Sequence, residues 1–341
     1  MAPPPPLLPR PAAPMTDFYG WPKGDATCTV TAFSPASLSL HEYQVVHPAG
    51  DKSNRHPIIV SLIKHVPTST YVLFDLGMST DWKNWVTPGP GVEHQDEFYK
   101  PKVERNVDQV LESLGVRTED VSYIVLSHHH FDHCAHSFSA FPNAKILGGP
   151  STLSNVAAFH APHEPPPSTS LVDLSWQGDP RATKVLTFEH SHDVFDDGSL
   201  LIVPTPGHTP GHVAAVVRTG CSSTGSRSSS DAQGDEYVVL SGDCAHHPSC
   251  LSPPSTEFRM GAWRLPDDDD DGEAGVTPRH SMHEDYSLAE TTLERLKALE
   301  RRAECLVVLA HDFRRWDAWK SKRGSQGQVG LDGWRKKGLK V

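Results

Sequence analysis

The sequence predicts an α/β protein folded as a four-layer αββα sandwich, two sheets face to face with helices outside. Two observations carry that expectation. The chain reads twice as a β-rich stretch followed by a helix and a further strand, and its histidine and aspartate clusters fall where strands end. At 341 residues there is room for one large domain or two ordinary ones.

The opening MAPPPPLLPRPAAP lacks the apolar centre of a secretory signal and holds a single Arg, so residues 1–24 read as a disordered, Pro-rich lead. Residues 28–34, 43–47, 57–66 and 70–78 are β-branched or aromatic runs parted by Pro, Gly, Asn and Asp. They read as consecutive antiparallel strands. The last carries Asp75 and Gly77; Asp75 reads equally as a turn residue and as an outer hydrogen-bond acceptor behind a metal site. Residues 79–103 place Trp82, Trp85, Phe98 and Tyr99 among Pro and Gly, which reads as a loop with one apolar face.

Apolar residues at Val103, Val107, Leu111 and Leu114, closed by Gly115, predict an amphipathic helix over 103–115. The run 121–127 then reads as a buried strand, and 144–149 as another. Residues 160–181 read as a loop, with His160 and His163 solvated. Asp197-Gly198 signals a hairpin, while Gly207 and Gly211 let the backbone bend around His208 and His212 in TPGHTPGH. The polar tract 221–235 and the Asp run in 266–275 read as flexible insertions. Ser287 and Glu290 read as a capping box opening a helix over 287–302. Strand 305–312 follows, and the tail carries a helix with Trp316 and Trp319. Residues 25–341 thereby form a single domain.

The chemistry concentrates in SHHHFDHC, residues 127–134, where the frame H-x-H-x-D-H sets His128, His130, Asp132 and His133 at the end of a strand. Residues two apart in extended backbone face the same way, so His128 and His130 present two imidazoles to one ion. Asp132 and His133, past a turn, face a second. Imidazole with carboxylate is a borderline donor set that suits zinc best and iron or manganese less well. Three more candidates end strands: His208, Asp243 in VVLSGD and His311 in VVLAHD. The expected arrangement gives His128, His130 and His208 to one ion and Asp132, His133 and His311 to another, with Asp243 bridging. His212 reads as a prop behind the ligands.

This ligand order resembles the metallo-β-lactamase superfamily of dinuclear metallohydrolases over most of residues 28–312. Within it, SHHHFDHC, TPGHTPGH, SGD and AHD look most like the N-acyl-homoserine lactone lactonases. The resemblance implies the metallo-β-lactamase fold, two Zn(2+) ions per chain, and opening of small cyclic esters by a metal-bridging hydroxide, with the quorum-quenching role of those lactonases. Asp132 is then the group that moves the proton. Two departures stand out. Where the lactonases usually carry a substrate-contacting Tyr, three positions after the bridging Asp, this chain has His246, a second candidate catalytic residue as hydrogen-bond donor to an oxyanion. Ala135-His136 stands where small Gly residues are common, so His136 crowds or extends the pocket. Cyclic amide (lactam) hydrolysis and thioester hydrolysis are the alternatives the same ligands allow.

The totals narrow the partners. A net charge of −11 with no long basic block argues against nucleic acid and lowers a phosphodiesterase reading. No run of 18 apolar residues exists, so no membrane span is expected. Six cysteines without repeated spacing fit a reducing, cytoplasmic setting. The expected partner is a small-molecule substrate, and the aromatics of 79–103 leave room for a homodimer.

Overall fold

The computed structural model describes residues 17–50, 52–86, 90–160, 171–176, 183–221, 235–252, 258–263 and 280–341. Residues 222–234 of the expected 221–235 insertion, the expected insertion at 266–275 and the lead up to residue 16 lie outside the described residues. Residues 17–24, assigned to the lead by their neighbours' proline content, are part of the fold. Trp21 stacks on Tyr237 with ring centroids 4.9 Å apart, and buried Arg218 donates to the carbonyl of Pro22 at 2.6 Å.

Among the described residues two large sheets form. The eight-stranded sheet runs, in order across its main path, Val329–Gly330, Cys28–His41, Ser53–His65, Tyr71–Phe74, Val121–Leu126, Lys145–Gly148 and Leu171–Asp173, with Lys102–Val103 pairing on Cys28–His41. The five-stranded sheet runs Cys305–Val308, Glu236–Leu240, Val213–Gly220, Leu200–Pro204 and His192–Asp193. Antiparallel hairpins open each half, and the later strands Val121–Leu126 and Cys305–Val308 join in parallel after a helix. A parallel return needs such a crossover.

Side-chain alternation builds the four layers. In Val121–Leu126, Val125 points between the sheets while Ile124 and Leu126 point outward. Those two meet Val107, Val110 and Leu111 of the helix Val107–Ser113. On the other side Val238 and Leu240 join the inter-sheet core, and Tyr237 and Val239 face Leu293, Leu296 and Leu299 of the helix Tyr286–Glu300. The expected αββα sandwich is therefore the observed one.

Several local readings change. Residues 43–47 form no strand: Glu42–Val45 is a short helix, opened by a backbone bond from His41 to Gln44 Oε1 at 3.3 Å. The 79–103 segment holds a 3₁₀ turn, Trp82–Trp85, and the helix Pro90–Tyr99, which starts on a proline suited to a first turn. The 103–115 helix is confined to Val107–Ser113 because Asn106 caps it. The helix Thr152–His160 leads into the expected 160–181 loop, and the strand Leu171–Asp173 interrupts it; residues 161–170 and 177–182, His163 among them, lie outside the described residues. The long C-terminal helix is capped by Asp285, whose carboxylate accepts from Leu288 N–H at 2.9 Å, rather than by Ser287.

Candidate metal centre

The two sheets meet at one end through backbone hydrogen bonds, and there the histidines collect. Val213 N–H donates to Ser127 carbonyl at 2.9 Å, and Ile59 N–H to Ala310 carbonyl at 2.9 Å. These bonds bring the residues after three strands, Ser127-His128, Ser241–Asp243 and Ala310-His311, into one patch. The H-x-H-x-D-H stretch turns there into a short helix, Phe131–Cys134, with His130 at its N-cap.

Two buried groups of donors result. In the first, His128, His130, His208 and Asp243 bring one ligand atom each within 4.8 Å of the others. His208 Nε2 stands 3.1 Å from His128 Nε2 and 2.9 Å from His130 Nδ1. In the second, Asp132, His133, Asp243 and His311 do the same. His311 Nε2 lies 3.3 Å from Asp132 Oδ2 and 3.3 Å from Asp243 Oδ1, while His133 Nε2 lies 3.2 Å from Asp243 Oδ2. Asp243 belongs to both groups: its Oδ2 lies 3.6 Å from His208 Nε2 and 3.2 Å from His133 Nε2, and its Oδ1 faces His311.

The outer contacts fix which nitrogen faces inward. His133 Nδ1–H donates to Asp75 Oδ2 at 2.8 Å. His128 Nδ1 lies 3.0 Å from Ser127 Oγ, whose hydroxyl donates to Asp75 Oδ2 at 2.9 Å. His311 Nδ1–H donates to Pro57 carbonyl at 2.9 Å. In all three rings the Nε2 lone pair is left for the centre. Asp75, the acid that read two ways, is thus the acceptor behind the site. His212 is a prop: its Nε2 accepts Asp243 N–H at 3.1 Å and its Nδ1 contacts Thr205 Oγ1 at 2.8 Å.

Close packing explains the glycines. Gly207 has φ +128°, and a Cβ there would stand 2.3 Å from Ala289 N, so only glycine lets the His208 loop seat on the helix Tyr286–Glu300.

Burial and neighbouring charge sort the titrations. Burial, reinforced by the other imidazoles, holds His128 and His208 well below the usual histidine range, so they are neutral donors. Burial also lowers His133 and His311, but the carboxylates of Asp243 and Asp132 outweigh it. His133 is raised well above its ordinary value and His311 to about 10. Burial raises Asp243, and His133, His311 and His246 more than reverse that, holding it well below the carboxylate range.

The donors fit a cation. Among the described residues Asp243 Oδ1 and His133 Nε2 have no hydrogen-bond partner though both are buried, a cost an ion would remove. Ligands on tetrahedral zinc stand about 3.3 Å apart for bonds of about 2.0–2.1 Å, close to the separations here.

His246 falls inside the same patch, with Nε2 3.1 Å from Asp243 Oδ2. His136 does not reach it. Its ring nitrogens contact Ser137 carbonyl at 3.1 Å and Asp108 Oδ1 at 3.4 Å, so it neither crowds nor extends the centre. His247 accepts Ser249 N–H and caps the helix Pro248–Leu251. The residue that sequence reasoning missed is His283, buried beside His208 and His246. It stands in no spacing pattern with the other candidate donors, so only the fold brings it in.

Residues 60–224 match the sequence pattern of the metallo-beta-lactamase superfamily. The chain is 28% identical over 286 residues to the metallo-hydrolase mfmC of Annulohypoxylon moriforme, covering 75% of this chain and 70% of that one. It is 30% identical over 265 residues to the cytochrome P450 monooxygenase mpaDE' of Penicillium brevicompactum, covering 72% of this chain but only 28% of that protein. It is 28% identical over 184 residues to the gamma-lactamase MBL2 of Gibberella moniliformis, covering 52% of this chain and 71% of that one. Among solved structures, a quorum-quenching N-acyl homoserine lactone lactonase superposes with a TM-score of 0.56 at 17% identity, covering 86% of this chain and 95% of that chain. Residues 60–224 thus carry the sequence pattern of the metallo-beta-lactamase superfamily, and the fold around them is that of the superposed lactonase.

Proposed function

We propose that the chain is a dinuclear zinc hydrolase that opens small cyclic esters. One observation carries the reading. Seven donors, drawn from the ends of four strands, gather in two buried groups of four that share Asp243, the donor set of a paired site rather than of one isolated ion. His128, His130 and His208 would hold one ion, Asp132, His133 and His311 the other, and Asp243 both. When bound, the pair supplies a Lewis acid for the carbonyl and a water acidic enough to ionise near neutral pH.

The chain's own residues do the rest. Asp132, 5% exposed and hydrogen-bonded toward His311, accepts the proton of the attacking water and delivers it to the departing oxygen. His246 presents a buried Nε2 for the oxyanion in the place the lactonases give to a tyrosine. Phe131 lies against Trp82, ring centroids 5.3 Å apart, and against Tyr99 at 6.2 Å. Burial, with Asp132 second, lifts Tyr99 to about 12, so this wall is an uncharged support for the substrate's apolar part.

A cyclic amide is the second reading, favoured by the likeness to a gamma-lactamase. An amide nitrogen leaves only when protonated, so that reading asks more of Asp132. Metal analysis of the purified chain with a panel of lactones, lactams, thioesters and bis-p-nitrophenyl phosphate tests both. Zinc near two equivalents with turnover of lactones supports the first. Hydrolysis of the phosphodiester alone would end both.

A further inference from the structure

A second triangle of imidazoles stands against the first. The donor nitrogens of His208, His246 and His283 all lie within 4.8 Å of one another. Their ring centroids are 4.9 Å apart for His208–His246, 5.2 Å for His208–His283 and 5.3 Å for His246–His283. The triangle of His128, His130 and His208 has sides of 4.5, 4.6 and 4.6 Å. An imidazole on zinc holds its ring centre roughly 3.2 Å from the ion, so three on one tetrahedral ion have centres about 5.2 Å apart. The second triangle matches that spacing as well as the first does.

Each ring also has an unmet need. His208 Nδ1 and His283 Nδ1 are buried with no hydrogen-bond partner among the described residues, and His246 Nε2, though 3.1 Å from Asp243 Oδ2, makes no well-formed hydrogen bond to them. All three rings are at least nine-tenths buried. Three unsatisfied ring nitrogens in one place are costly unless something binds them.

The segment bearing His283 is tied to the His208 loop. Glu284 N–H donates to the His208 carbonyl at 3.1 Å, Asp285 N–H to the Gly207 carbonyl at 2.9 Å, and His283 N–H to Ser281 Oγ at 3.1 Å. Burial keeps His283 well below the usual histidine range, hence a neutral donor.

We propose that His208, His246 and His283 form a third metal position, for a borderline divalent ion such as zinc, beside the two already assigned. It rests on that dinuclear reading through His208, which turns Nε2 to His128 and His130 and keeps Nδ1 for the third ion. Because Nδ1 carries the ring proton once Nε2 is coordinated, loading the third position releases that proton to water. The third ion also takes His246 Nε2 from the substrate. The third position therefore inhibits: filling it removes a hydrogen-bond donor from the reaction.

The test counts zinc. The full-length chain is stripped with a chelator, reloaded with excess zinc, desalted and measured by elemental analysis beside His283→Gln and His246→Gln. Both variants are expected to hold one equivalent less than the natural chain, with circular dichroism melts showing each folded. Two equivalents in the natural chain and in both variants would overturn the third position and leave the pair standing. A natural chain that holds no zinc would sink both readings.

Discussion

Asp75 Oδ2 accepts hydrogen bonds from His133 Nδ1 at 2.8 Å and from Ser127 Oγ at 2.9 Å, while Asp75 Oδ1 accepts Ser127 N–H at 2.7 Å. One carboxylate outside the ligand set thus orients a ring in each group of donors, His133 directly and His128 through Ser127. The residue holds a left-handed backbone, φ +63°, which a non-glycine residue adopts at a cost.

Asp75→Ala is expected to weaken zinc binding about 10–100-fold, the usual effect of losing an outer partner of a ligating histidine. It also strands the buried Ser127 N–H, at about 1–3 kcal/mol of stability. Competition with a chelator of known affinity reads the first effect and urea unfolding the second. Unaltered zinc affinity would show that His133 keeps its orientation without Asp75.

How much of this was legible beforehand varies with the physical signal. The strand-end histidines and aspartates of the candidate centre stand out in the sequence because H-x-H-x-D-H, TPGH, SGD and AHD each follow an apolar β-branched run. The layers were readable because alternation and helical period differ. Residues 43–47 misled because β-propensity there yields to a local cap at His41. The helix Pro90–Tyr99 was hidden by its flanking Pro and Gly, and its apolar face is weakly marked. His283 was unreadable, since what delivers it is a backbone bond from Glu284 to His208 across 76 positions of chain.

The stripped chain should lose stability in alkali. His311 is raised to about 10 and His133 well above its ordinary value, against about 6.5 for an unfolded histidine. A folded pKa above the unfolded one gives stability fully present below about pH 6.5 and lost as pH climbs through the folded value. The melting temperature of metal-free protein should therefore fall between pH 7 and 10, and zinc, which replaces those protons, should bind more tightly over the same range. A flat profile for stripped protein would mean that Asp243 and Asp132 do not hold the two rings protonated.

Arg315 secures the strand Cys305–Val308, which leads to His311. Its guanidinium donates to Asp312 Oδ2 at 2.8 Å and to Glu300 Oε1 at 2.5 Å, and Glu300 Oε2 accepts Val307 N–H at 3.0 Å. All three charged residues are buried. Arg315→Met leaves two buried carboxylates unpaired, which costs about 3–5 kcal/mol. A shift of the urea midpoint worth less than about 1 kcal/mol would show that Lys340, 4.0 Å from Glu300 Oε1, takes over the pairing.

Asp132 separates metal binding from proton transfer. Its Oδ2 is 3.3 Å from His311 Nε2 and 3.6 Å from His133 Nε2, so the carboxylate both helps hold one ion and stands where a water between the groups would shed its proton. Asp132→Asn keeps the side chain's size and one acceptor oxygen but removes the base. Zinc binding should weaken while at least one ion is retained through His133, His311 and Asp243. Hydrolysis measured at saturating zinc should fall by about 10²–10⁴-fold, the range for loss of a positioned acid or base. Because the comparison is made with the ions present, a loss of turnover there reports the proton and not the metal. Undiminished kcat/KM in that variant would move the base elsewhere, with His246, 3.1 Å from Asp243 Oδ2, next in line.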